Sequence, residues 1–286
     1  MTIVKKVNRK TFTIRPSGRS TDFISPSFGH GCLYNCSYCY MKRNKPDGLS
    51  VAKNTEDILT SINNHVTFDD TQKPNQTHSD YTTYDISCNE DFALHAKHHK
   101  WEKIFTFFKE HPKAMGSFAT KYVNYDLIKF NPQGKIRIRF SLMPQHKSDI
   151  HEPNTSKIID RIKAIDKFID AGYDVHVNFS PIIVYNGWLE DYKYLFSMMN
   201  KYVDNKENVL AECIFLTHNF SRHTYNLDDN PKSEIDLWVP SIQEDKISQY
   251  GGVNRRYNRK LKYQYIKDFT KLHDRIIPWN KIRYIF

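Results

Sequence analysis

Three cysteines stand within eight residues, Cys32, Cys36 and Cys39, in a C-x3-C-x2-C spacing. Three thiolates on one short loop can hold three irons of a [4Fe–4S] cube, leaving the fourth iron open to a small ligand. S-adenosylmethionine can chelate that iron through its amino and carboxylate groups. An electron from the cluster then cleaves the sulfonium and yields a 5′-deoxyadenosyl radical. The competing chemistry is zinc, with His30 completing a Cys3His set. Structural zinc loops usually come as paired C-x2-C units, and no second pair follows here, so the spacing favours the cluster. The remaining cysteines are Cys88 and Cys213. An odd count with three clustered members does not read as a disulfide framework, and it predicts a reduced, cytoplasmic protein. By residue type alone Cys88 is a small buried hydrophobe, and Cys213, inside Ala-Glu-Cys-Ile-Phe-Leu, reads as core.

These residues need a scaffold, and its pattern is readable. A short extended run from Asp22 leads into the cysteine loop. Residues 51–66 read as a helix with Asn54 as its cap, and residues 67–80 as a loop. Residues 81–88 read as a strand, 92–111 as a helix and 117–122 as a strand. Residues 135–142 alternate basic and apolar side chains, a strand signature. Ile158, Ile159, Ile162, Ile165 and Ile169 recur at helical spacing until Gly172 stops the run. A strand over 173–183, a helix over 188–203 and a strand over 209–217 complete about six strand–helix alternations. The pattern predicts an α/β fold with parallel strands, a partial (β/α)6 TIM-like barrel. Such folds carry their chemistry at the C-terminal ends of strands. The cysteine loop, Cys88, Lys121 and Ser141 all fall there.

Composition bounds the rest. Hydrophobic content of 39% and charged content of 26% exclude fibrous and wholly disordered classes. No apolar run reaches the roughly 18 residues of a membrane span, and the N-terminus lacks a signal-peptide stretch. The net charge of +10 is uneven. Residues 246–286 hold eleven Lys/Arg against Asp268 and Asp274, and residues 1–20 hold six Lys/Arg and no acid, so the body between is mildly acidic. Two basic ends suggest either a polyanion contact or solvated tails. The chain divides into a basic arm (1–20), a barrel (21–220) and a basic extension (221–286).

The loop Gly31-Cys-Leu-Tyr-Asn-Cys-Ser-Tyr-Cys-Tyr40 resembles that of the radical S-adenosylmethionine superfamily. In particular it is similar to the Gly-Cys-x-x-x-Cys-x-Tyr-Cys-Tyr of the spore photoproduct lyase family. Ile86-Ser-Cys88-Asn-Glu-Asp91 resembles that family's Ala-Ala-Cys-Thr-Ser-Asp, Phe118-Ala-Thr-Lys121-Tyr its Phe-Val-Thr-Lys-Phe, and Ile138-Arg-Phe-Ser141 its Phe-Arg-Phe-Ser. Ala171-Gly-Tyr173, Ser180-Pro-Ile182, Gly187-Trp188 and Gln249-Tyr250-Gly251 follow in matching order, from about residue 22 to the end. Glu90 stands where the family has Ser, and Gln249 where it has Arg.

The resemblance implies repair of a methylene-bridged thymine dimer, the spore photoproduct, in DNA. Cys88 would return a hydrogen atom to the thymine radical, with Tyr40 and Tyr38 as relay candidates. Lys121, Ser141 and Glu90 match cofactor-contacting positions. A flavodoxin or ferredoxin would supply electrons to a monomeric enzyme. At the C-terminus, Arg255, Arg256, Arg259 and Lys260 can neutralise phosphates, and Tyr250 or Tyr257 can stack on a base. The resemblance implies a hairpin there that wedges beside the lesion. Two alternatives stay open: radical modification of another thymine-derived or nucleic-acid base, and a non-catalytic nucleic-acid-binding protein with a structural metal.

Overall fold

The computed structural model describes residues 4–39, 41, 48–68, 72–247 and 251–286. They form two compact units, each assembled from several chain segments. The first holds 1–33, 44–140 and 164–176, and the second holds 34–43, 141–163 and 177–286. The architecture is mixed α/β. No helix among the described residues is long and apolar enough to cross a membrane.

In the first unit the strands are β1 (Val4–Val7), β2 (Arg15–Pro16), β3 (Phe23–Ile24), β4 (Gly29–His30), β5 (Leu49–Ala52), β6 (Thr82–Asp85), β7 (Ala114–Thr120) and β8 (Ile136–Ser141). β3, β6, β7 and β8 pair in parallel, with Phe23 opposite Tyr84, Thr83 opposite Met115 and Phe118 opposite Ile138. Parallel strands covered on both faces leave no solvated side. The alternation in β8 is therefore not half exposed: Arg137 and Arg139 are both buried. Each is charge-compensated, Arg137 by Asp174 at 2.7 Å and Arg139 by Asp85 at 2.8 Å. Buried cations need such partners.

The crossovers differ from the expected helices in three places. Residues 49–52 form β5, which pairs with β1 and β4, and the helix begins only at Thr55–Phe68. Asn54 is drawn to the N-terminal arm, where its side-chain oxygen accepts the Arg9 amide at 2.8 Å. The expected helix over 92–111 is broken into Phe92–His95, a 3-10 turn Ala96–His98 and Trp101–Glu110. Between β7 and β8 a single 3-10 turn, Leu127–Lys129, replaces a helix. The helix Ile158–Asp170 forms where expected, with Ile158, Ile162 and Ile165 fully buried, but Ile169 is only partly buried and Phe168 enters the core instead. Gly172 (φ +89°) ends it, and a β-carbon there would lie 2.1 Å from the Asn131 side chain.

In the second unit β9 (Asp174–Ile182), β10 (Ala211–Phe215) and β14 (Ile282–Ile285) are parallel neighbours, with Cys213 opposite Phe179 and Ile285. Helices Trp188–Tyr202 and Arg259–Ile276 pack through Trp188, Tyr192 and Phe196 against Phe269. β11 (Thr217–Asn219), β12 (Gln243–Ile247) and β13 (Val253–Tyr257) form a separate antiparallel sheet.

Candidate functional site

In the first unit the loop after β6 carries Cys88, which is partly exposed. Its neighbours are tied down on both sides. The Ser87 amide donates to Asp85 Oδ1 at 2.8 Å, and the Gly31 amide donates to the Asn89 carbonyl at 2.9 Å. Asp91 accepts from the Thr120 hydroxyl at 2.7 Å and the Lys121 amide at 2.8 Å, and it also caps helix Phe92–His95. The Cys88 loop and the Lys121 position are thus fixed to each other through one carboxylate. In sequence Asp91 is visible only as part of a matching segment. The structure adds its role.

Glu90 is turned inward. Its carboxylate is fully buried and bonded to His95 Nδ1 at 2.9 Å and His99 Nε2 at 2.8 Å. Gly29 makes room: a β-carbon there would meet the Glu90 carboxyl group at 2.2 Å. Burial alone would raise the Glu90 pKa, but His99 and His95 outweigh it and hold the carboxyl down to about 2. The far nitrogen of His95 accepts the Leu33 amide at 3.3 Å, which leaves Nδ1 as the donor to Glu90. A chain of bonds therefore runs from Glu90, two residues after Cys88, to the residue after Cys32. Glu90 Oε1 is buried without a hydrogen-bond partner. The expected cofactor-contacting carboxylate is thus enclosed by His95, His99 and Gly29.

In the second unit the rest of the cysteine loop meets a different environment. The Cys39 amide donates to the Cys36 carbonyl at 3.0 Å, a tight turn. The Ser37 amide donates to the His151 carbonyl at 2.9 Å. From helix Phe220–Asp229, Arg222 Nε donates to the Ser37 carbonyl at 2.8 Å and Nη2 to the Cys36 carbonyl at 3.2 Å, while Asn226 adds a 2.8 Å bond to Ser37. Arg222 is almost wholly buried. Burial lowers its pKa, and the nearby Cys39 and Cys36 oppose that shift.

The Tyr38 hydroxyl makes a short bond to Glu152. Glu152 pairs with Arg161 at 2.9 Å, and Arg161 also donates to the Ser141 carbonyl at 2.8 Å. Burial, then the Glu152 charge, push the Tyr38 phenol well above its usual range. Tyr38 is a fixed donor in a closed network, and the strand-end position Ser141 belongs to that network. Tyr40 lies outside the described residues.

Could this loop hold a cluster? Among the described residues no group of three or more His, Cys, Asp or Glu side chains is gathered as a metal site. The donor set nevertheless fits in kind. All five cysteines are thiols, three of them on the loop, and a buried cation stands beside Cys36 and Cys39 to offset thiolate charge. Cys213 is fully buried in β10, and burial pushes its thiol up, as befits a core residue.

The basic C-terminal residues separate into two kinds. Arg255 pairs with Asp245 at 3.0 Å and lies over the Trp238 ring at 4.6 Å, and Arg256 pairs with Glu244 at 2.9 Å. Arg259 and Lys260 are exposed in the first turn of helix Arg259–Ile276, behind the Asn258 cap. Tyr257 corrects the base-stacking expectation: it is fully buried, and its oxygen accepts the Val184 amide at 2.7 Å. Tyr250 lies outside the described residues. Ile247 and Val253, which sequence reasoning passed over, face each other across the β12–β13 ladder and are 72% and 54% exposed.

The whole chain, residues 1–286, matches the family model for spore photoproduct lyase. It is 25% identical over 285 residues to the spore photoproduct lyase of Bacillus subtilis (strain 168), covering 96% of this chain and 80% of that protein. The same identity and coverage hold for the spore photoproduct lyase of a Geobacillus species. A solved spore photoproduct lyase complexed with dinucleoside spore photoproduct superposes with a TM-score of 0.88 at 22% identity, over 99% of this chain and 82% of that one. A mutant of that enzyme with bound AdoMet and the same dinucleoside gives 0.88 at 20% identity.

Proposed function

Because the chain belongs to the spore photoproduct lyase family, we propose that it is a radical S-adenosylmethionine lyase that returns a methylene-bridged thymine dimer in DNA to two thymines. The observation that carries the reading is the family match over the full length; the cysteine loop and the partly exposed Cys88, in segments that resemble the family's motifs, support it. The solved relatives, with dinucleoside spore photoproduct and AdoMet bound, support the substrate and cofactor. The parallel strands support a partial barrel of the (β/α)6 kind, with residues 221–286 as its DNA-facing extension.

Cys32, Cys36 and Cys39 would hold a [4Fe–4S] cluster. When bound with S-adenosylmethionine, that cluster supplies hydrogen-atom abstraction from the lesion. Lys121 offers a cation to the methionine carboxylate, and Ser141 a hydroxyl to the ribose or amino group. Cys88 gives its thiol hydrogen to the thymine radical, a downhill step because an S–H bond is weaker than the C–H bond restored. Tyr40 is the relay position. Tyr38, committed to Glu152, anchors the loop, and Glu90 positions it through His95. Arg259 and Lys260 contact phosphates, while the apolar Ile247–Val253 pair is suited to wedge between base steps beside the lesion. Electrons come from a flavodoxin- or ferredoxin-type donor, and the protein works as a monomer.

The deciding experiment is repair of lesion-bearing DNA by the reconstituted protein and by Cys88→Ala. The variant should still cleave S-adenosylmethionine but fail to return clean thymine. Unchanged thymine recovery would remove Cys88 from the donor role. Cofactor cleavage without any repair by the wild type would favour a different base as substrate.

A further inference from the structure

We propose that the N-terminal arm builds a second phosphate-binding site, a groove that takes a backbone phosphate of the lesion-bearing strand next to the Cys88 loop. The proposal rests on the DNA-repair reading of the cysteine loop and Cys88.

A groove of about 370 Å³ lies within the first unit, lined by Arg9, Lys10, Arg15, His30, Ser27 and Asn89, among others. Among the described residues no carboxylate lines it. Beside Ile24 and Pro26, its walls carry cations, hydroxyls, an imidazole and an amide, side-chain types that bind phosphate oxygens and set the register of a protein on its nucleic acid.

The groove is built rather than incidental. Arg9 Nε donates to the Ser27 carbonyl at 3.0 Å and Nη2 to the Ser50 carbonyl at 2.7 Å. Its amide and carbonyl both bond Asn54, at 2.8 and 3.1 Å. β1 pairs with β5, and β2 with β3, on either side of this anchor. The arm is therefore held as a frame, with Arg9 as its fixed charge and Lys10 and Arg15 exposed at the rim.

Position gives the groove its meaning. Asn89 follows Cys88 directly, its amide donates to Ser27 Oγ, and its carbonyl accepts the Gly31 amide beside Cys32. One wall is thus the loop that carries the proposed hydrogen donor, so a phosphate seated there would belong to a nucleotide near the lesion. The partner is a phosphodiester chain rather than a free anion because the cations continue along the arm. Lys5 and Lys6 are exposed on β1, and residues 4–20 contain no acid. A run of this kind tracks a backbone.

The test measures binding of the cluster-loaded full chain to a lesion-bearing duplex across a salt titration. Wild type is compared with Lys10→Gln/Arg15→Gln and with Lys10→Glu, both substitutions on exposed side chains. The double variant should lower the slope of log K against log salt by ~1 to ~2, about 0.9 for each phosphate no longer neutralised. Neutral methylphosphonate linkages are then placed one at a time around the lesion. One position should weaken wild-type binding several-fold and leave the double variant unaffected, because charge and partner have both gone. A wild-type slope in both variants, or equal losses at every linkage in all proteins, overturns the groove. So does competition by inorganic phosphate that is insensitive to the linkages, which would place a free anion there. A wild type that shows no salt-dependent DNA binding would instead sink the DNA-repair reading itself.

Discussion

At Leu33 the cysteine loop gives its amide to His95, whereas at Cys36 and Ser37 it gives its carbonyls to Arg222 and Asn226. The first end is held by the far ring nitrogen of His95, whose other nitrogen faces the buried Glu90 carboxylate. The second end is held by a buried cation. An anionic ligand set explains the need for both. Arg222 brings a positive charge to the Cys36 carbonyl, while in the first unit the charge of Glu90 is met by His95 and His99. One end therefore contributes geometry and the other contributes charge.

The comparison can be broken most sharply at Glu90. Glu90→Gln keeps an acceptor oxygen but removes the negative charge that both histidines face at Oε2, so they lose their counter-ion. Breaking a buried pair of this kind costs about 3–5 kcal/mol. The loop should also retain iron about 10- to 100-fold less well, the usual loss when a residue that orients a ligand is removed. The pH dependence has a definite sign. The folded pKa of about 2 lies below the ordinary 4.5, so the stabilisation is complete above 4.5 and is lost as pH falls toward 2. Denaturant melts of wild type and variant should therefore converge over that window. A gap that stayed constant into acid would show that the carboxylate is not held by charge.

Next in size is Arg222→Gln, paired with Arg222→Lys. The glutamine variant removes the cation beside Cys36 and Cys39, so the reduced, more negative cluster is less favoured and the midpoint potential should fall. Lysine keeps the charge but loses the fork that spans two carbonyls, so it should restore the potential more than it restores iron retention. Equal potentials in wild type and Arg222→Gln would reduce Arg222 to a backbone clamp and erase the contrast between the two ends.

How much of this was legible depended on distance along the chain. The cysteine loop, the buried isoleucines of the helix Ile158–Asp170 and the order of the parallel strands are local patterns, and they were readable. His95 and His99 sit four residues apart and five and nine beyond Glu90, so their convergence left a faint trace, obscured because the helix expected there is broken. Arg222 lies 185 residues from Ser37, and no local pattern announces such a contact. Tyr257 shares its strand with Arg255 and Arg256, and its burial depends on receiving the Val184 amide from a distant segment. Charge counting located two basic ends. It could not show that Arg255 and Arg256 meet Asp245 and Glu244, or that Arg9 serves as a frame.

The smallest expected effect belongs to Tyr38→Phe, and it decides between anchor and relay. The phenol donates to Glu152, which keeps Arg161 and the Ser148 hydroxyl as partners when the tyrosine oxygen is removed. The loss is one hydrogen bond to a charged group, about 1.5–3 kcal/mol, without an abandoned charge. Thermal stability should fall modestly, and iron retention should slip less than in Glu90→Gln. An anchor moves stability and iron content together. A relay would leave both in place and change the fate of the radical, so that repair stalls after fewer turnovers for each cofactor consumed. Unchanged melting with a lower ratio of repaired lesions to cleaved S-adenosylmethionine would return Tyr38 to the relay, and the second end of the loop would then rest on Arg222, Asn226 and the His151 carbonyl.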